Sequence, residues 1–102
     1  MSRFVKVATL EELVASGSLE LEREGHILAL FRDEDEVIAM DGMCPHQGGP
    51  LASGEIRGNV LSCPWHGWQF DLKSGQCLTA RSVRQARYPV RIEGTDILVQ
   101  LP

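Results

Sequence analysis

Cys44–Gly49 reads CPHQGG and Cys63–Trp68 reads CPWHGW. Each stretch is a Cys-Pro pair with a histidine just downstream: Cys44-x-His46 in the first, Cys63-x-x-His66 in the second, sixteen residues apart. Thiolate and neutral imidazole are the side chains that bind soft and borderline metals. Two of the three cysteines and two of the three histidines stand in these loops. That concentration points to one metal centre shared by both, so the fold has to bring the loops together.

Working outward, the segment between the loops supplies the means. GEIRGNVLSC reads as a tight hairpin turning through Arg57-Gly58-Asn59, which places the tips of the loops side by side. WQFDLKSGQCL reads as a second hairpin, turning at Lys73-Ser74-Gly75, and YPVRIEGTDILVQL as a third, through Glu93-Gly94-Thr95-Asp96. Upstream, RFVKVA (Arg3–Ala8) alternates like a strand. Thr9 and Glu12 then form the capping-box pattern of one short helix that stops at Gly17. LELERE (Leu19–Glu24), HILALF (His26–Phe31) and EVIAM (Glu36–Met40) read as strands joined by the turns EG and RDED. Many short strands with regular turn signals and one minor helix predict an all-β fold, an antiparallel sandwich with the loops converging at one end.

The chain has 102 residues, a size that fits one domain over 1–102 with a modest core to which a bound metal or cluster would add stability. Hydrophobic residues make up 43% and charged residues 24%, as in ordinary globular domains. No apolar run approaches the roughly 20 residues needed to span a bilayer, and MSRFVKVATLEEL lacks the apolar region of a signal peptide. A cytoplasmic protein with no membrane partner is expected. An odd number of cysteines suits a metal site with one spare better than a disulfide framework. The net charge of −4 argues against nucleic acid as a partner. Residues 1–55 carry eleven acids and four bases, net −7, whereas 56–102 carry three acids and six bases, net +3.

Two thiolates and two imidazoles could hold a structural zinc ion in a tetrahedron. Zinc fingers, however, usually draw both cysteines from one loop and both histidines from another segment. Here each loop gives one of each, an arrangement that suits a [2Fe–2S] cluster with differently ligated irons.

With CPWHGWQFDLKSGQ around the second pair, the chain resembles the Rieske [2Fe–2S] family over roughly residues 36–100. The resemblance implies the Rieske iron–sulfur fold, with a cluster-binding part at about 42–82. It also implies one [2Fe–2S] cluster, with Cys44 and Cys63 on the inner iron and His46 and His66 on the outer, solvent-near iron. In that setting Gly48, Gly49 and Gly67 would let backbone approach the sulfides and donate N–H groups to them. Pro45 and Pro64 would stiffen the loops, and Trp65 and Trp68 would cover the inner iron from water. The high-potential respiratory branch carries an interloop disulfide where this chain has Gly49 and Trp65, and hydroxyls where it has Trp68 and Phe70. Fewer hydrogen bonds to sulfur imply a low reduction potential.

Other residues read as structural. Cys77 is expected in the core and His26 at a strand end, with the acidic run Arg32–Glu36 as a solvated hairpin tip. Arg81, Arg84, Arg87 and Arg91 form a basic stretch expected to be a solvated surface, and a proline usual near Arg81 in the family is missing. Once the loops are ligated only His26 remains, too few residues for a mononuclear oxygenase iron, so the chain is not expected to catalyse bond formation alone. The resemblance implies a one-electron carrier between a flavin or NAD(P)H-linked reductase and a terminal oxygenase. The alternative is the small subunit of a cytoplasmic NAD(P)H nitrite reductase, bound to its large subunit. A zinc-stabilised interaction module is a more distant alternative.

Overall fold

The computed structural model describes residues 3–34 and 36–102. Strand β1 (Arg3–Thr9) runs into helix α1 (Leu10–Ser16). The capping box is formed: the Glu12 N–H donates to Thr9 Oγ1 at 3.3 Å, and the Thr9 N–H donates to Glu12 Oε1 at 2.8 Å. Gly17 ends the helix with φ 81°, its N–H donating to the Leu13 carbonyl at 2.7 Å. Strands β2 (Ser18–Arg23), β3 (His26–Asp33) and β4 (Glu36–Asp41) follow. The β2 strand begins and ends one residue earlier than its alternation predicts. Glu24 and Gly25 both take positive φ, 53° and 84°, as a two-residue hairpin turn demands, so Glu24 belongs to the turn.

Beyond the first Cys loop come a 3₁₀ turn at Leu51–Ser53 and strands β5 (Glu55–Arg57), β6 (Val60–Ser62) and β7 (Gln69–Asp71). The chain closes with β8 (Arg87–Tyr88), β9 (Val90–Glu93) and β10 (Asp96–Leu101). The expected hairpin after Trp68 turns at the predicted place, but its returning arm is no strand. It pairs only through isolated bridges, Phe70 with Cys77 and Gln76 with Arg84. Pro89 separates β8 from β9: without an N–H it cannot continue a ladder, and the chain leaves one sheet for another there.

The strands form three antiparallel sheets ordered β1-β10-β9, β2-β3-β4-β8 and β5-β6-β7. The four-stranded sheet lies between two cores. Leu28, Leu30 and Ala39 face Val7, Leu13, Ile97, Val99 and Leu101 on one side. Ala29, Phe31, Ile38 and Met40 face Leu51, Leu61, Phe70, Leu72 and the cysteines on the other. Burial on both faces accounts for the unbroken apolar run of HILALF, since a sheet wetted on one face would alternate. The acidic turn after β3 is less solvated than expected. Lys73 reaches back from the cluster-side hairpin to Asp33 at 3.3 Å and Glu36 at 3.2 Å, and the Asp33 side chain is only 14% exposed. Asp35, in the same run, lies outside the described residues.

Candidate metal centre

The first loop leaves β4 and the second joins β6 to β7. Both close in the same way: the Cys44 N–H donates to the Gly49 carbonyl at 2.8 Å, and the Cys63 N–H to the Trp68 carbonyl at 2.7 Å. The base of the first loop is further held by Gln85, whose Nε2 donates to the carbonyls of Asp41 at 2.8 Å and Met43 at 2.7 Å. Gln85 is only 5% exposed, so this amide replaces the water those carbonyls would otherwise bind.

These anchors sort the four side chains into two pairs. Cys44 and Cys63, each 2% exposed, belong to the core beneath the middle sheet. His46 and His66 are exposed, with ring centroids 5.4 Å apart and planes at 83°. Burial pushes the Cys63 thiol up from its ordinary pKa. The Trp65 N–H, 3.4 Å from its Sγ, counters this, and the neighbouring Cys44 thiol adds to the rise. A metal bound to a thiol deprotonates it outright. Among the described residues, no three His, Cys, Asp or Glu side chains close on a single ion. Two pairs at different depths fit a two-iron cluster better than one tetrahedral zinc.

The glycines divide by role. A Cβ on Gly49 would lie 2.7 Å from Cys63 Sγ and 3.0 Å from Trp65 Cγ, so one loop packs across the other's sulfur at a distance only glycine permits. Such an approach would let the backbone of the first loop come near a cluster held at Cys63. Gly48 and Gly67 are needed instead for their positive φ, 74° and 75°. His66 is also left-handed, at φ 68°. His66 and Gly67 reverse the chain between the two tryptophans, and only Trp68 returns to the core. It stacks on His46 with centroids 4.5 Å apart and planes at 12°. Trp65 is 48% exposed, with its Cβ and Cγ packed beside Gly49, and Leu51, Leu61 and Phe70 share the core with the cysteines. Pro64 is also exposed.

The remaining residues are placed apart from this centre. Cys77 is fully buried, its sulfur accepting the Ala80 N–H at 3.3 Å. His26 stands edge-on to Tyr88, centroids 6.3 Å apart. The arginine stretch lies at the surface as expected: Arg81, Arg84 and Arg91 are exposed and Arg87 is half-buried. Arg84 donates to the Ser74 carbonyl at 3.1 Å and Arg87 to that of Lys73, bracing the hairpin turn, while Arg91 lies 4.2 Å over the Phe4 ring. Sequence reading missed Gln85 and also Gln47, whose Oε1 meets His66 Nε2 at 2.8 Å. Neither has a local signal, because both partners come from distant segments. Among the described residues, no helix is long and apolar enough to cross a membrane.

A sequence model of the Rieske [2Fe-2S] domain matches residues 3–98. The ferredoxin component of the naphthalene 1,2-dioxygenase system of Pseudomonas aeruginosa is 31% identical over 100 residues, covering 97% of this chain and 96% of that protein. The ferredoxin of carbazole 1,9a-dioxygenase from Nocardioides aromaticivorans IC177 superposes with a TM-score of 0.84 at 29% identity, covering 94% of this chain and 95% of that one. A chain described as an NADH-dependent nitrite reductase small subunit of Mycobacterium tuberculosis gives a TM-score of 0.86 at 24% identity, covering 100% of this chain and 97% of that one. At that identity the likeness speaks for the fold alone. Buried thiols beneath exposed imidazoles, with these matches, define an iron–sulfur protein carrying one [2Fe–2S] cluster. The chain belongs to the Rieske [2Fe–2S] domain family.

Proposed function

We propose that Cys44 and Cys63 hold the inner iron and His46 and His66 the outer iron, and that the chain is a one-electron carrier in the cytoplasm. On this reading it accepts electrons from a flavin or NAD(P)H-linked reductase and delivers them to a terminal oxygenase. When bound, the cluster supplies single-electron chemistry. The protein's part is to keep the thiolates dry and to present the imidazole edges to a partner. The observation that carries the reading is the difference in depth between the pairs, since both cysteines are 2% exposed and both histidines lie at the surface. Residues 42–50, 51–54 and 63–70 carry no Lys, Arg, Asp or Glu, so the rim is neutral. Met43 and Trp65, 47% and 48% exposed, give it apolar surface for a short-lived contact.

Dioxygenase ferredoxins that match along nearly their whole length support the oxygenase setting. The nitrite reductase small subunit shares the fold and remains the second reading; purification in a stable complex with a large reductase subunit would favour it. We take residues 1–102 as one domain, with its cluster-binding part at about 42–82. Metal analysis is the test. The purified protein should contain about two irons and two labile sulfides per chain. His66→Ala and Cys63→Ala should each lose the visible spectrum of the cluster. One zinc without sulfide, or a variant with an unchanged spectrum, would overturn the assignment.

A further inference from the structure

The two exposed imidazoles are held by different means. His46 lies flat against Trp68, centroids 4.5 Å apart. His66 is held by a hydrogen bond from the other loop: Gln47 Oε1 stands 2.8 Å from His66 Nε2, nineteen positions away in sequence. This bond spans the seam between the loops. It also holds a residue whose backbone is left-handed at φ 68°, a region histidine enters more readily than most non-glycine residues.

An amide oxygen only accepts, so with Oε1 facing the ring the matching tautomer donates from Nε2–H. The Nδ1 lone pair is then free to face a metal. A ligating imidazole that donates its outer N–H to an oxygen becomes a stronger base toward the metal. Stronger donation favours the oxidised iron. We propose, on the ligand assignment above, that Gln47 is a positioning residue for His66: it latches one loop to the ligand of the other and, by accepting a hydrogen bond from Nε2–H, lowers the reduction potential of the centre. The iron site is thus asymmetric, with one imidazole strengthened by a hydrogen bond and the other braced by a ring stack.

The test compares loaded wild-type protein with Gln47→Leu and Gln47→Glu. Midpoints are read by protein-film voltammetry, and the iron–imidazole stretch by resonance Raman. Gln47→Leu removes the acceptor. Its reduction equilibrium constant should rise about threefold to tenfold, a midpoint higher by about 28 to 59 mV, and the iron–imidazole stretch should fall. Gln47→Glu offers a stronger acceptor and should move both in the opposite direction. The Raman shift separates the hydrogen bond from the through-space effect of the added charge. Unchanged values in both variants, or shifts of the same sign, overturn the inference. If Gln47→Leu does not load, Gln47→Glu decides alone: a lower midpoint with a raised stretch supports the role, and any other result refutes it. A wild type lacking iron and sulfide refutes the ligand assignment and this inference together, whereas a loaded wild type with unresponsive variants refutes only the latter.

Discussion

Replacing Gly49 by alanine would push a methyl group into the seam between the loops. The new Cβ would lie 2.7 Å from Cys63 Sγ, 3.0 Å from Trp65 Cγ and 3.1 Å from Trp65 Cβ. Ordinary contact begins near 3.4 Å, so sulfur and backbone must part by about 0.7 Å. Metal–ligand distances tolerate about 0.2 Å, and the movement exceeds that more than threefold. Cys63 has little room to yield, because its backbone is bonded to Trp68 and its sulfur to the Trp65 N–H. Overpacking of this kind costs about 1–3 kcal/mol, and about 2 kcal/mol lowers Tm by roughly 8–16 °C in a domain of this size. Iron and sulfide content should fall sharply, alongside a lower melting temperature. Gly67→Ala is the control: it has positive φ but no atom within 4 Å of the added Cβ. It should lose about 1–2 kcal/mol of stability from backbone conformation alone while retaining the cluster. A fully loaded, wild-type-stable Gly49→Ala protein would refute the packing argument, as would cluster loss confined to Gly67→Ala.

Two further outcomes are expected. Trp68 and Phe70 offer no hydroxyl to sulfur, so voltammetry at neutral pH should place the midpoint near the low end of the Rieske span, about −150 mV; a value well above zero would reopen a high-potential role. Gln85→Leu leaves the Asp41 and Met43 carbonyls without their donor. It should cost about 1–3 kcal/mol for each buried acceptor stranded, visible as a lower denaturation midpoint, and an unchanged midpoint would show that water takes the amide's place.

What could be read from sequence was local or strongly patterned. Thr9 and Glu12 announce their helix because capping needs only residues three apart. The run at His26–Phe31 marks a buried strand because its apolarity does not alternate. The paired loops mark the centre because their donor chemistry is unusual. Tertiary contacts decided the rest. Trp65 and Trp68 look alike in CPWHGW, yet a left-handed His66 between them sends one to solvent and the other onto His46. The basic stretch lies at the surface as its charge suggests, but its sequence does not show that Arg84 and Arg87 meet the carbonyls of Ser74 and Lys73 or that Arg91 lies over Phe4. Gln47 and Gln85 are unremarkable in sequence, since an amide gains meaning only from what it meets.

The strands that bound residues 42–86 give that segment a common entrance and exit. β4 and β8 are antiparallel neighbours, with Met40 opposite Arg87 and the Asp41 N–H donating to the Ala86 carbonyl at 2.9 Å. Everything from 42 to 86 therefore begins and ends at one doorway in the middle sheet. A segment whose ends already touch can be replaced by a short hairpin turn at little entropic cost, or by a longer insert at a cost that grows only logarithmically. The base formed by β1, β10, β9 and the near face of the middle sheet has its own core, while the far face of that sheet, with Ala29, Phe31, Ile38 and Met40, is covered by the inserted segment. The insert is a cartridge on a frame, and its loop lengths can be revised without redesigning the frame as long as Leu51, Leu61, Phe70 and Leu72 still cover the far face of the middle sheet.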